Sequence, residues 1–97
     1  MISIKIHRGQ GEVILAACDE EVLGKTFSGD GMRIHVSNGF YDGYLVTEEE
    51  FVDQLDGYTI MNLVGDRVIA LAIENGHVSE DCIIEIGEVK HAQVVKL

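Results

Sequence analysis

Cys18 is the first residue in this chain whose position could support chemistry. It stands just ahead of Asp19-Glu20-Glu21, at the start of a short helical turn. A helix N-terminus can lower a thiol pKa and make a nucleophile of it. The neighbouring carboxylates act in the opposite direction, because nearby negative charge disfavours the thiolate. No His is close in sequence to serve as a base. Cys18 therefore reads as a small buried hydrophobe at a strand end. A metal site would have to draw on Cys18, Cys82, His7, His35, His77 and His91. None of these has close ligand spacing such as Cys-x-x-Cys or His-x-x-x-His, so no metal is expected.

Asn62-Leu63-Val64-Gly65-Asp66 leads into a helix, where free backbone N–H groups could hold a phosphate or carboxylate. Asp66 is expected to fill that position itself as the N-cap. The phosphate-binding pattern Gly-x-x-x-x-Gly-Lys-Ser/Thr does not occur; Gly24-Lys25-Thr26 keeps only its last three letters, and no cofactor is expected. Phe40-Tyr41, between Asn38-Gly39 and Asp42-Gly43, reads as an aromatic plug at a sheet edge, with at least Phe40 buried. Lys5, His7, Arg33 and His35 all point away from the isoleucine-rich face of their strands. If those strands are neighbours, they form a basic outer face that could meet RNA or an acidic partner. Arg8, Lys90 and His91 are further basic residues of interest. No aromatic ladder accompanies these residues, so stacking on a single-stranded nucleic acid is poorly supported.

The elements that must position these residues follow from periodicity. Ile2, Ile4 and Ile6 alternate with polar residues as in a half-buried strand. Glu12 to Cys18 is apolar on both faces and should be central. The two form an N-terminal hairpin around Gly9-Gln10-Gly11. Asp19 to Leu23 is a short helix with Asp19 as N-cap, ended by Gly24 in the left-handed conformation. Met32 to Val36 alternates as a third strand, and Tyr44 to Val46 is a short fourth. Thr47-Glu48-Glu49-Glu50 has capping-box spacing and opens a helix to about Leu55. Tyr58 to Leu63 is extended or irregular. Asp66 to Asn75 is the clearest helix, stopped by Gly76, with Val68, Leu71 and Ala72 on its apolar face. Cys82 to Ile86 and Val89 to Val95 close the chain as strands. These elements predict one compact α+β domain over residues 1–97: a mostly antiparallel sheet of five to six strands, two longer helices on one face, and one short helix.

Composition narrows the function classes. The chain has 97 residues and a net charge of −10. Residues 1–41 carry −1, residues 42–88 carry −11 with Arg67 as their only Lys or Arg, and residues 89–97 carry +2. Such a balance opposes tight binding of free nucleic acid or of an anionic membrane. No apolar run approaches the ~18 residues of a membrane-spanning helix. Two Cys without a framework spacing fit a reducing cytoplasm.

Three stretches together resemble a known family: Cys18-Asp19-Glu20-Glu21-x-Leu23-Gly24-Lys25, Phe40-Tyr41, and Asn62-Leu63-Val64-Gly65-Asp66. Over nearly its whole length the chain is similar to the archaeal domain of unknown function 424. The resemblance implies an archaeal cytoplasmic protein of about this size, associated with translation. It carries no activity, substrate or catalytic residue across. The expectation is a non-enzymatic binding module that works with a larger protein or a ribonucleoprotein in translation or RNA handling. The alternative is a small enzyme or ligand-binding protein with a site near Cys18, Asp19, Asn62 and Gly65. Convergence of those four on a concave pocket would favour the enzyme; turn and core positions would favour the module.

Overall fold

A computed structural model describes residues 1–96. The elements run β1 (Ile2–Gly9), β2 (Glu12–Asp19), a 3-10 turn (Glu20–Val22), β3 (Thr26–Gly29), β4 (Met32–His35), α1 (Asn38–Tyr41), β5 (Tyr44–Val46), α2 (Glu48–Asp53), β6 (Ile60–Val64), α3 (Asp66–Glu74), a second 3-10 turn (Glu80–Cys82), β7 (Ile84–Ile86) and β8 (Val89–Val95). Six strands form one sheet in the order β5-β1-β2-β6-β8-β7. Every neighbouring pair is antiparallel except β2 and β6, which run parallel at its centre. The α+β class and the mostly antiparallel sheet agree with the sequence.

The central β2–β6 seam is apolar on both sides, as strands covered on two faces must be. Ala16 and Cys18 face one way, Leu15 and Ala17 the other, and all four are fully buried. In β6, Met61 and Leu63 share the Leu15 side, while Val64 lies opposite Cys18. Both ends of the seam are clasped by side chains. At one end the Thr59 hydroxyl accepts the Val13 N–H at 2.9 Å, and the Thr59 N–H donates to the Val13 carbonyl at 3.0 Å. At the other end Asp19 reaches the start of α3. A one-residue slip would turn every side chain of a strand to the wrong face, so these clasps fix the register that the two cores require.

α2 and α3 cover the Ile2–Ile4–Leu15–Met61–Leu63 face, burying Phe51, Leu55, Val68, Ile69 and Ala72 against it. Burying side chains such as Phe51 or Leu55 contributes about 1.5–3 kcal/mol each. The capping box forms as the sequence predicts: Glu50 N–H donates to Thr47 Oγ1, and Thr47 N–H donates to the Glu50 carboxylate at 2.9 Å. Gly24 and Gly76 take φ of 82° and 77° at the ends of their turns, also as expected.

Several elements differ from the sequence expectation. Among the described residues only α3 is a long helix; α2 stops at Asp53, where the Gln54 and Leu55 N–H groups tighten to bonds three residues back, onto the Phe51 and Val52 carbonyls. Asp19 to Leu23 is a strand end followed by one 3-10 turn, and the Asp19 side chain does not cap that turn. The expected third strand lies outside the main sheet. β3 and β4 pair with each other in a separate hairpin, Thr26 to His35 and Gly29 to Met32, closed by Asp30 and Gly31 with φ of 52° and 80°, the positive values a two-residue hairpin turn requires. That hairpin and α1 cover the second sheet face, burying Val36 and Tyr41 over Ala16, Cys18, Val64 and Val89. Tyr58 to Leu63 contains the central strand β6. Cys82 sits on an exposed turn ahead of β7.

Candidate functional site

Cys18, Asp19 and Gly65 come together at the top of the seam, where β2 and β6 end side by side. β6 stops at Gly65, and the chain turns directly into α3, whose first amides point back over the end of β2. The Asp19 carboxylate occupies that helix N-terminus. Its Oδ2 accepts the Arg67 N–H and its Oδ1 accepts the Val68 N–H, each at 3.0 Å. Asp19 thus caps a helix 48 residues away, and Asp66, expected to serve as cap, is exposed. The reason is reach: Asp66 stands at the first helical position, while the end of β2 already carries a carboxylate into the amides. Gly65 has φ 125° and ψ 150°, and a Cβ there would stand 2.6 and 2.8 Å from the two Asp19 oxygens. Only glycine fits beneath this carboxylate.

The electrostatics of the junction are mixed. Burial raises the Asp19 pKa, while the two amide bonds and Arg67 lower it. Arg67 lies over the junction, 3.9 Å from Asp19 through Nε, ion-paired with Glu21 and 3.7 Å from Glu48. Beside it opens a cleft of about 400 Å³ bordered by Asp19, Glu21, Lys25, Phe27, Arg67 and Glu88. Cys18 does not reach that cleft. It is fully buried in the second core, and burial, then Asp19, Asp42 and Glu21, push its pKa up to about 12. A thiol held protonated and out of solvent is a poor nucleophile. Asn62 lies two residues below Val64 on β6, half-buried between Ala16 and Gln93. Of Cys18, Asp19, Asn62 and Gly65, only Asp19 lines the cleft.

The four basic residues are not brought to one face. Lys5 and His7 leave the isoleucine-rich side of β1, but α1 lies across them. Ser3 Oγ donates to the Tyr41 carbonyl at 2.8 Å, Lys5 Nζ to Gly39 at 2.9 Å, and His7 Nε2 to Phe40 at 2.9 Å. Three alternate residues of one strand therefore satisfy three successive carbonyls at the end of a short helix, groups that have no partner within it. The His7 ring also stacks on Phe40, centroids 4.6 Å apart. Phe40 is half-buried and Tyr41 buried, their rings edge to face. Arg33 and His35 belong to the separate hairpin, exposed, with His35 Nδ1 2.8 Å from Thr26 Oγ1. Among the described residues no three His, Cys, Asp or Glu side chains come together to hold a metal ion, and no helix is long and apolar enough to cross a membrane.

Residues 7–97 match the family model of a protein of unknown function (DUF424). The chain belongs to the DUF424 family. It is also similar to the crystal structure of an uncharacterized conserved protein from Methanopyrus kandleri, with a TM-score of 0.78 and 26% identity. That similarity covers 99% of this chain and 93% of the other. No curated protein matches the chain.

The stretches around Cys18-Asp19 and around Asn62-Gly65, far apart in sequence, are adjacent in space. Asp19 and Gly65 touch, and Cys18 pairs with Val64. Sequence reasoning missed one feature of this DUF424 chain. Between α2 and α3 runs a groove of about 410 Å³, lined by Val52 and Leu71 and bordered by Glu48, Glu49 and Asp53. The acidic surplus of residues 42–88 was its only trace in the sequence.

Proposed function

We propose that this DUF424 chain is a non-enzymatic interaction module, and that Cys18, Asp19, Gly24, Phe40, Tyr41, Asn62 and Gly65 serve its fold. One observation carries this reading: the Asp19 carboxylate, the side chain best placed to do chemistry, is engaged by two backbone amides and lies over Gly65. A catalytic carboxylate needs a free face toward substrate, and this one has its oxygens turned into a helix end. The buried Cys18 thiol, with its raised pKa, points the same way. The partner would be a larger protein or a ribonucleoprotein, in keeping with the place in translation or RNA handling that the family resemblance suggests. The test is capture of tagged protein from the native organism, followed by identification of bound protein and RNA. A reproducible stoichiometric partner supports the module. A captured small molecule, or turnover that Asp19→Asn abolishes without loss of fold, would transfer support to an enzyme.

A further inference from the structure

We infer that the groove between α2 and α3 is the docking surface for a basic segment of a partner protein, with one apolar side chain of that segment held between flanking Lys or Arg residues. This rests on the module reading and adds to it the surface and the partner's chemistry. The groove arises because α2 is short: its Val52 and the Leu71 of α3 face one another half-buried, and nothing further along α2 closes over them. Its lining is mainly apolar, and its volume of about 410 Å³ is large enough for a side chain and part of the backbone that carries it. Exposed Glu48, Glu49 and Asp53 border this apolar floor.

The charge layout selects the occupant. Arg67 is the only Lys or Arg in residues 42–88, and it is drawn toward Glu21, Asp19 and Glu48. Among the described residues no cation pairs with Glu49 or Asp53. An apolar strip between unpaired carboxylates attracts an apolar residue flanked by positive charge, steers it electrostatically, and repels nucleic acid and acidic peptides. A second copy of the chain would bring another net charge of −10 and is disfavoured for the same reason.

The probe is a fluorescein-labelled peptide, Lys-Lys-Leu-Lys-Lys, read by anisotropy at low salt, beside a control in which Ser replaces its Leu. Two double variants carry the same change in net charge: Glu49→Lys with Asp53→Lys at the groove, and Asp81→Lys with Glu85→Lys on the β7–β8 hairpin and the exposed turn that leads into it. Melting temperature verifies that both remain folded, and Leu71→Ser tests the floor. We expect saturable binding by the wild type, weakened about tenfold or more by the groove reversal and by less than about twofold by the hairpin reversal, because rim charges act locally once the apolar contact forms. The Leu71→Ser variant and the Ser peptide should each weaken binding. Equal losses from the two reversals, indifference to Leu71→Ser, or no saturable binding would overturn the groove assignment. If a partner captured by the wild type is retained by the groove-reversed protein, the groove fails while the module stands; if nothing is captured, the module itself fails.

Discussion

Replacing Asp19 and Gly65 singly and together tests whether the two motifs exist to support one another. Asp19→Ala leaves the buried Val68 N–H and the part-buried Arg67 N–H without acceptors. A buried donor left unsatisfied costs about 1–3 kcal/mol, and water can reach the Arg67 side, so the loss should be about 2–4 kcal/mol. Gly65→Ala meets two obstacles. Its φ of 125° with ψ of 150° is a region that L-residues occupy at a cost of about 1–3 kcal/mol. Its Cβ would also stand 2.6 and 2.8 Å from the Asp19 oxygens and push the carboxylate off the amides. In the Asp19→Ala background the second obstacle disappears and only the backbone strain remains. Gly65→Ala should therefore cost about 1–2 kcal/mol less there than in the wild type, within the range of coupling between residues in contact. Urea denaturation of the four proteins, followed by circular dichroism at neutral pH with unchanged m-values, measures the cycle. Additivity within about 0.5 kcal/mol would refute direct contact as the reason both residues are present.

Two further outcomes follow from groups already described. A thiol reagent at neutral pH should titrate Cys82 rapidly in the native protein and Cys18 only after denaturation, because one is exposed and the other buried with a pKa pushed up to about 12; rapid labelling of both would contradict the buried position. Because the folded protein raises the Asp19 pKa, its native state holds that proton more tightly than the unfolded chain. The contribution is present at low pH and lost as the pH rises through the raised native pKa. Asp19→Asn should remove this slope from a series of urea midpoints, and a wild type that instead gains on the variant across that window would show the sign to be wrong.

Local signals in the sequence were the legible ones. The Thr47–Glu50 capping box, the left-handed Gly24 and Gly76, and the β1–β2 hairpin all depend on residues a few positions apart, and each formed as expected. What stayed hidden depends on distance. Asp19 reads as the cap of the turn that follows it, and nothing nearby says that its true partners are Arg67 and Val68. Lys5 and His7 read as a free basic face because the carbonyls they meet belong to Gly39 and Phe40. The strand β6 could have been found: Ile60, Met61, Leu63 and Val64 form a short apolar run between Gly57 and Gly65, the pattern of a strand buried on both faces. The polar Asn62 in the middle of that run interrupts the pattern.

The β2–β6 seam also bears on how the chain reaches this fold. β1, β2 and β5 come from the first half of the chain and β6, β7 and β8 from the second, so the β2–β6 seam is where the two halves of the sheet join, while the β1–β2 and β7–β8 hairpins are the local pairings within them. Joining them requires partners such as Val13 and Thr59, 46 positions apart, to meet in parallel register. Loop closure of that length and parallel pairing are slow relative to hairpin formation. Refolding in rising salt should accordingly lose yield to aggregation before it loses equilibrium stability. Until the halves meet, β2 and β6 are each an open, strongly apolar edge, and such edges capture other chains. A net charge of −10 holds unfinished molecules apart during that interval. The acidity that marks the finished surface also acts, on this account, as an intermolecular chaperone written into the chain itself.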